Sequence, residues 1–224
     1  MNRVLREEKK FLISIDEFIS ISHKLGNIML SDPHNGTHGY TIRSLYFDTV
    51  YDRDYFEKQA GVELRRKIRL RCYDPKADYA MLEIKQKQGA NQLKRSLKLK
   101  REDAVRLTLG DYSPLLSYSE PFAAECYALM NTKCYLPKTI VEYNRKAYIA
   151  KENKIRVTFD NHIVSTESCF DLFSKNLNMN VVLEVKFNGF LLEYIKRMIN
   201  PVNRSELSVS KYVLARQNGY QTRL

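Results

Sequence analysis

The stretch Leu64-Arg65-Arg66-Lys67-Ile68-Arg69-Leu70-Arg71-Cys72 alternates, and its alternation decides the fold. Successive residues of a β-strand point to opposite faces. Arg65, Lys67, Arg69 and Arg71 therefore share one face, while Leu64, Arg66, Ile68, Leu70 and Cys72 share the other. A basic face is backed by a mostly apolar one.

The same split recurs on either side of this stretch. Glu83, Lys85 and Lys87 oppose Leu82 and Ile84, and Lys94, Ser96, Lys98 and Lys100 oppose Leu93, Arg95, Leu97 and Leu99. Arg156, Thr158 and Asp160 oppose Ile155, Val157 and Phe159. Glu184 and Lys186 oppose Val181, Leu183, Val185 and Phe187, and Glu8 shares a face with Lys10. Period-two character or β-branched and aromatic enrichment predicts eight strands, near residues 4–13, 40–48, 62–73, 79–87, 93–100, 138–150, 154–160 and 181–187. Little chain separates several of them, which makes them antiparallel neighbours.

Helical stretches fall between the strands. In Asp16–Leu30, Phe18, Ile21, Leu25 and Ile28 take helical spacing behind an Asp that can cap the helix. Others lie near 50–58, 101–109, 119–132, 189–199 and 208–217, and the loop-like stretches Ser31–Gly39, Gly110–Ser119 and Asn200–Ser205 are short. There is no repeat or low-complexity linker, so a single domain over 1–224 is the economical reading.

Alternating charge on one strand is the ordinary mark of a solvated sheet face. As a set, these faces are cation-rich, and Glu recurs two residues before Lys at Glu8/Lys10, Glu83/Lys85 and Glu184/Lys186. Eight strands can close into a barrel, which removes exposed edges. With the charged faces turned inward, the lumen becomes a positive tunnel that needs an anionic ligand and water. The expected class is α+β: an eight-stranded antiparallel closed β-barrel with helices packed on its outside.

Composition points the same way. Against 26 Asp+Glu the chain carries 37 Lys+Arg, a net charge of +11, which implies a polyanionic partner: nucleic acid, a phosphate-rich small molecule or an anionic membrane. Cys72, Cys126, Cys134 and Cys169 form no C-x-x-C pair, as expected in a reducing cytosol. The first residues, Met1-Asn2-Arg3, open no signal-peptide-like apolar run, and no segment approaches the roughly 20 apolar residues that cross a bilayer. The chain therefore reads as soluble and cytoplasmic.

The ordered motifs Glu8-Lys9-Lys10-Phe11, Ser44-Leu45-Tyr46-Phe47-Asp48, Arg69-Leu70-Arg71 and Leu82-Glu83-Ile84-Lys85 carry a resemblance. They continue with Glu142-Tyr143-Asn144-Arg145, Arg156-Val157-Thr158-Phe159-Asp160, Leu183-Glu184-Val185-Lys186-Phe187 and Ser210-Lys211-Tyr212. The chain resembles the triphosphate tunnel metalloenzymes, or CYTH-like superfamily, and within it the VTC-type polyphosphate polymerase domain. The resemblance implies that Lys10, Arg69, Arg71, Lys85, Arg145, Arg156 and Lys211 bind phosphate and carry the catalysis. Lys186, Lys94 and Lys98 are further phosphate-binding candidates; strand-face parity favours Lys94 and Lys98 equally as the lysine of the fifth strand. The resemblance implies Glu184 and Glu8 as ligands of a divalent metal, Mn or Mg. The first strand has a single Glu-x-Lys, which points away from the thiamine-triphosphatase and adenylate-cyclase branches. The regulatory domain and membrane helices of the eukaryotic polymerase subunits do not appear in this chain.

The implied activity transfers the γ-phosphoryl of ATP to a growing polyphosphate or to pyrophosphate. Such transfer asks mainly for positioning and charge neutralisation, with arginine forks for phosphate and lysines as point charges. Two other readings stay open. The same tunnel could hydrolyse triphosphates, with Glu8 or Glu83 as base, although a salt bridge to a neighbouring cation is the plainer role for Glu83. The protein could also be a non-catalytic polyanion- or RNA-binding module. No nucleic-acid partner is expected, because the aromatics fall mostly on apolar faces, as Phe11, Phe47, Phe159 and Phe187 do. His23, His34, His38 and His162 lie outside the tunnel motifs. A membrane partner is compatible with the sequence, and the oligomeric state is not legible in it.

Overall fold

The period-two stretches are strands. The computed structural model describes residues 6–74, 76–89, 91–167, 176–178, 181–199 and 210–221. Cys169 and the loop Asn200–Ser205 lie outside them. In chain order the elements are β1 (Arg6–Ile13), α1 (Ile15–Gly26), β2 (Leu30–Ser31), β3 (Tyr40–Thr49), α2 (Arg53–Gln59), β4 (Leu64–Cys72), β5 (Tyr79–Gln88) and β6 (Asn91–Lys100). They continue with α3 (Arg101–Thr108), a 3-10 turn at Ser113–Ser117, α4 (Pro121–Thr132), β7 (Tyr135–Ala150), β8 (Ile155–Glu167), β9 (Asn176–Asn178), β10 (Val181–Asn188), α5 (Glu193–Ile199) and α6 (Lys211–Gln221).

These elements sort into two compact units that interleave along the chain. The first takes its described residues from Met1–Thr41, Tyr143–Ile163 and Leu177–Ser210; the second takes them from Ile42–Glu142, Val164–Asn176 and Lys211–Leu224. Strand order in the first is β1-β10-β8-β7, with β2 on β7; in the second it is β7-β3-β4-β5-β6, and β9 pairs with β8. The class is α+β with antiparallel strand pairing, as the alternation implies. Closure is the exception. β1 and β6 are end strands, and among the described residues no backbone pairing joins either to a further strand. The closed barrel is therefore not part of the observed hydrogen bonding.

Each unit has its own core, and in each the apolar strand faces are covered by helices. In the first, Phe11, Ile13, Val157, Phe159, Leu183 and Val185 pack with Ile21 and Leu25 of α1 and Ile195 and Ile199 of α5. In the second, Ile68, Leu70, Leu82, Ile84, Leu97 and Leu99 pack with Ala104 and Leu107 of α3 and with Ala123, Cys126 and Met130 of α4. Full burial of such aliphatic side chains is worth about 1.5–3 kcal/mol each. That commits one parity of β1, β4, β5, β6, β8 and β10 to the core and leaves the charged parity on the opposite face.

Local chemistry corrects the sequence reading at α1. Its cap is Ser14, not Asp16: the Ser14 hydroxyl accepts from the Glu17 backbone N–H, and the Glu17 carboxylate accepts from the Ser14 N–H. This reciprocal capping box satisfies two backbone donors that a helix start leaves orphaned. The helix ends at Gly26, and Leu30 and Ser31 pair with Ile149 and Tyr148. Cys72, Cys126 and Cys134 are free thiols. Among the described residues no helix is long and apolar enough to cross a membrane.

Candidate functional site

In the second unit, register fixes the polar face. Arg69 lies opposite Glu83, which lies opposite Ser96; Lys67, Lys85 and Lys94 form one cross-strand row, and Arg71, Met81 and Lys98 another. Glu83 is the one carboxylate on this face of β4–β6, among side chains that are otherwise Lys, Arg or uncharged. Like charges on directly opposed positions destabilise a sheet, so the face is built to be balanced by negative charge.

Glu83 gathers three of these cations. It is 2% exposed. Its Oε2 accepts from Arg69 Nε at 2.6 Å and lies 3.9 Å from Arg71 Nε, and its Oε1 meets Lys94 Nζ at 2.5 Å. Burial alone would raise its pKa, but the charges of Arg69 and Arg71 and the Lys94 hydrogen bond outweigh burial and lower it to about 2. Arg71 also donates to Ser44 Oγ and to Tyr73 Oη, both at 3.4 Å. Arg69 donates to Tyr46 Oη at 3.3 Å. Burial pushes the Tyr46 hydroxyl pKa up, yet Arg69, Arg71 and Lys211 together bring it below its ordinary value. Lys211, on α6, is thus electrostatically coupled to the same cluster. Lys98 lies over the Tyr79 ring, 4.2 Å from its centroid, and of these two β6 lysines it is Lys94 that bonds directly to Glu83.

In the first unit the charges are more evenly matched. Lys10, Glu184 and Thr158 form one cross-strand row, and Glu8, Lys186 and Arg156 the next. Lys10 pairs with Glu8, and Lys186 pairs with Glu184 while lying 3.6 Å from Glu8 Oε2. Glu8 and Glu184 therefore share one ammonium. Arg145 holds Asp160 through two parallel bonds of 2.6 and 2.8 Å. Burial would lower the Arg145 pKa, but the Asp160 carboxylate holds it well above the usual value. Arg156 pairs with Asp32 at 2.7 Å and donates to Tyr40 Oη at 3.0 Å. Asp32 in turn accepts from the backbone and Nδ1 of His34.

Of the residues singled out in sequence, Arg69, Arg71, Lys94 and Lys211 converge on one cluster, and Lys85 and Lys98 share its face. Lys10, Lys186, Glu8 and Glu184 converge on another. Arg145 and Arg156 flank that second group, each engaged with an acid that sequence reading had not paired with it. Asp160 was on the charged parity of its strand and so was visible; Asp32 and Tyr40 come from the loop before β3 and at its start, where no periodicity marks them. Tyr46, Asp48 and Tyr212 sit inside recognised motifs, yet their mutual contacts join distant segments.

Hard cations take oxygen ligands, and Mg²⁺ is usually held by one or two carboxylates together with phosphate oxygens and water. Glu8 and Glu184 fit that donor set: both are shielded, and both already share a cation, the Lys186 ammonium. Among the described residues no group of three or more His, Cys, Asp or Glu side chains forms a metal cage.

The fold has solved counterparts. An adenylate cyclase candidate from Bacillus halodurans is 15% identical with a TM-score of 0.54, over 92% of this chain and 95% of its own. An adenylyl cyclase candidate from Hippeastrum, described as having a dominant triphosphatase activity, is 14% identical with a TM-score of 0.58, over 94% and 95%. At such identities the likeness is one of fold. A search of curated proteins finds no match. The sequence pattern of the VTC domain matches residues 5–220, nearly the whole length, with the tunnel motifs inside the match. The chain belongs to the VTC domain family.

Proposed function

We propose that this protein is a metal-dependent phosphotransferase that moves the γ-phosphoryl of ATP onto a growing polyphosphate. The observation that carries the reading is the cluster around Glu83, in which Arg69, Arg71 and Lys94 are held together on a face with no other carboxylate. Two planar guanidinium forks side by side suit adjacent phosphate groups, with lysines adding point charges. The family match over residues 5–220 supports one functional domain spanning the chain.

The residues then divide the work. Arg69, Arg71, Lys85, Lys94 and Lys211 bind and orient the phosphate run, and Lys98 extends their face. Lys10, Lys186, Arg145 and Arg156 are the phosphate-binding candidates of the first unit. Glu184 and Glu8 would hold the divalent ion, Mn or Mg, which when bound neutralises charge on phosphate oxygens. With a pKa of about 2, Glu83 stays ionised at neutral pH and is a weak base. An acceptor phosphate arrives already anionic and needs no proton removed, which suits phosphoryl transfer. In the hydrolytic reading water replaces that acceptor, and Glu8 rather than Glu83 is the remaining base candidate. A nucleic-acid module fits less well, because Tyr46 on the polar face is 6% exposed, and the more open Tyr79 and Tyr73 are already engaged by Lys98 and Arg71.

Purified protein incubated with ATP and Mn²⁺ or Mg²⁺, with and without pyrophosphate, tests the proposal. Long polymer together with ADP is the expected product. Free phosphate without polymer would replace it with a triphosphatase assignment. Retained polyphosphate binding without either product would leave a binding module.

A further inference from the structure

Lys211 opens α6, and the next residue, Tyr212, is 1% exposed. The Tyr212 ring stacks on Tyr46, with centroids 5.1 Å apart and planes 25° apart, and meets Tyr55 edge-on at 6.3 Å. Its hydroxyl donates to Asp48 Oδ2 at 2.5 Å. Asp48 is fully buried, and it also accepts the backbone N–H groups of Thr49, Asp54 and Tyr55. One helical turn further on, Arg216 pairs with Asp52 at 2.6 Å, and Asp52 is held from another side by Lys138 at 3.0 Å. Residues four apart on a helix share a face. Tyr212 and Arg216 therefore hook α6 at two points onto Asp48 and Asp52, at the end of β3 and the start of α2.

The clamp leads directly to the cation cluster. Tyr46 has Tyr212 against its ring and Arg69 on its hydroxyl, and it lies within the electrostatic reach of Lys211. We propose that Tyr212, through Asp48 and with Arg216, is a positioning residue: it sets Lys211 beside Arg69 and Arg71 and touches no phosphate itself. This rests on the reading of that cluster as a phosphate site.

Calorimetric titration of the full chain with inorganic tripolyphosphate tests it without requiring turnover. Tyr212→Phe keeps the ring and removes only the hydroxyl. It is expected to weaken binding roughly tenfold, Lys211→Ala to weaken it at least as much, and the double variant to match Lys211→Ala alone, because residues acting as a unit are not additive. Arg216→Gln, which leaves Asp52 paired with Lys138, is expected to show the same dependence on Lys211 and serves if Tyr212→Phe does not fold. Unchanged affinity in Tyr212→Phe, no loss in Lys211→Ala, or a full additional loss in the double variant would each overturn the positioning role while leaving the phosphate site intact. Wild-type protein that binds no tripolyphosphate would overturn the site and the positioning role together.

Discussion

Glu83 is a carboxylate that three cations keep ionised. Its pKa in the fold, about 2, lies below its ordinary value of 4.5. The stability it contributes is therefore present above about pH 4.5 and lost as pH falls toward 2. Glu83→Gln is expected to cost about 3 kcal/mol at pH 7, since removing one partner leaves shielded positive charge uncompensated. The loss should shrink toward zero near pH 2, and tripolyphosphate should raise the melting temperature of the variant more than that of the wild type. Thermal denaturation at pH 7 and in acid, with and without the anion, checks all three. The ambiguity of Glu83 between salt bridge and base was visible in sequence, because strand parity placed it among cations; the number of partners was not. Tyr212 and Asp48 were legible only as motif members, since their bond joins residues 164 positions apart and no local pattern encodes such a pair.

At the scale of elements, strands were legible because half-burial imposes period two; the structure places seven of the eight to within three residues at each end, while β8 runs on to Glu167, seven residues past its expected end. What escaped was set by single contacts. β2 is two residues long, too short for any period, and Ser14 caps α1 because Glu17 stands three positions on. The segment before β3 is tied down by Asn35, which exchanges bonds with the Ala147 backbone, and by Asn144, which donates to the His38 carbonyl. Gly39 closes it at φ +93°, and a Cβ there would lie 2.5 Å from the Arg145 carbonyl oxygen. Gly39→Ala is expected to lower stability by about 2–4 kcal/mol, combining left-handed strain with a backbone clash. Gly61→Ala is the control. It has φ +69° but open space, so only the strain of about 1–2 kcal/mol should appear. Urea unfolding of both variants measures the difference.

For the whole molecule, a net charge of +11 foretold an anionic partner but could not name it. The family was legible in the order of motifs, each weak by itself. Barrel closure was inferred from the need to hide edges, and backbone pairing among the described residues does not supply it. If several cations share the phosphate run, tripolyphosphate affinity should fall roughly 10–100-fold between about 50 and about 200 mM salt, by release of bound counterions. A flat salt response in titrations would point instead to recognition dominated by neutral contacts.

The interleaving of the two units also bears on how the chain is made. One unit needs β1 from its start and β10 from near residue 185; the other joins Asp48 and Asp52 to Tyr212 and Arg216. A ribosome working from the N-terminus cannot release either as a finished piece, because each waits for a partner strand or helix made late. β1 must pass through synthesis before its partner strand β10 exists, whereas the apolar side of β4–β6 can be covered as soon as α3 and α4 follow. A chaperone that shelters exposed strands would meet β1 until β10 is made.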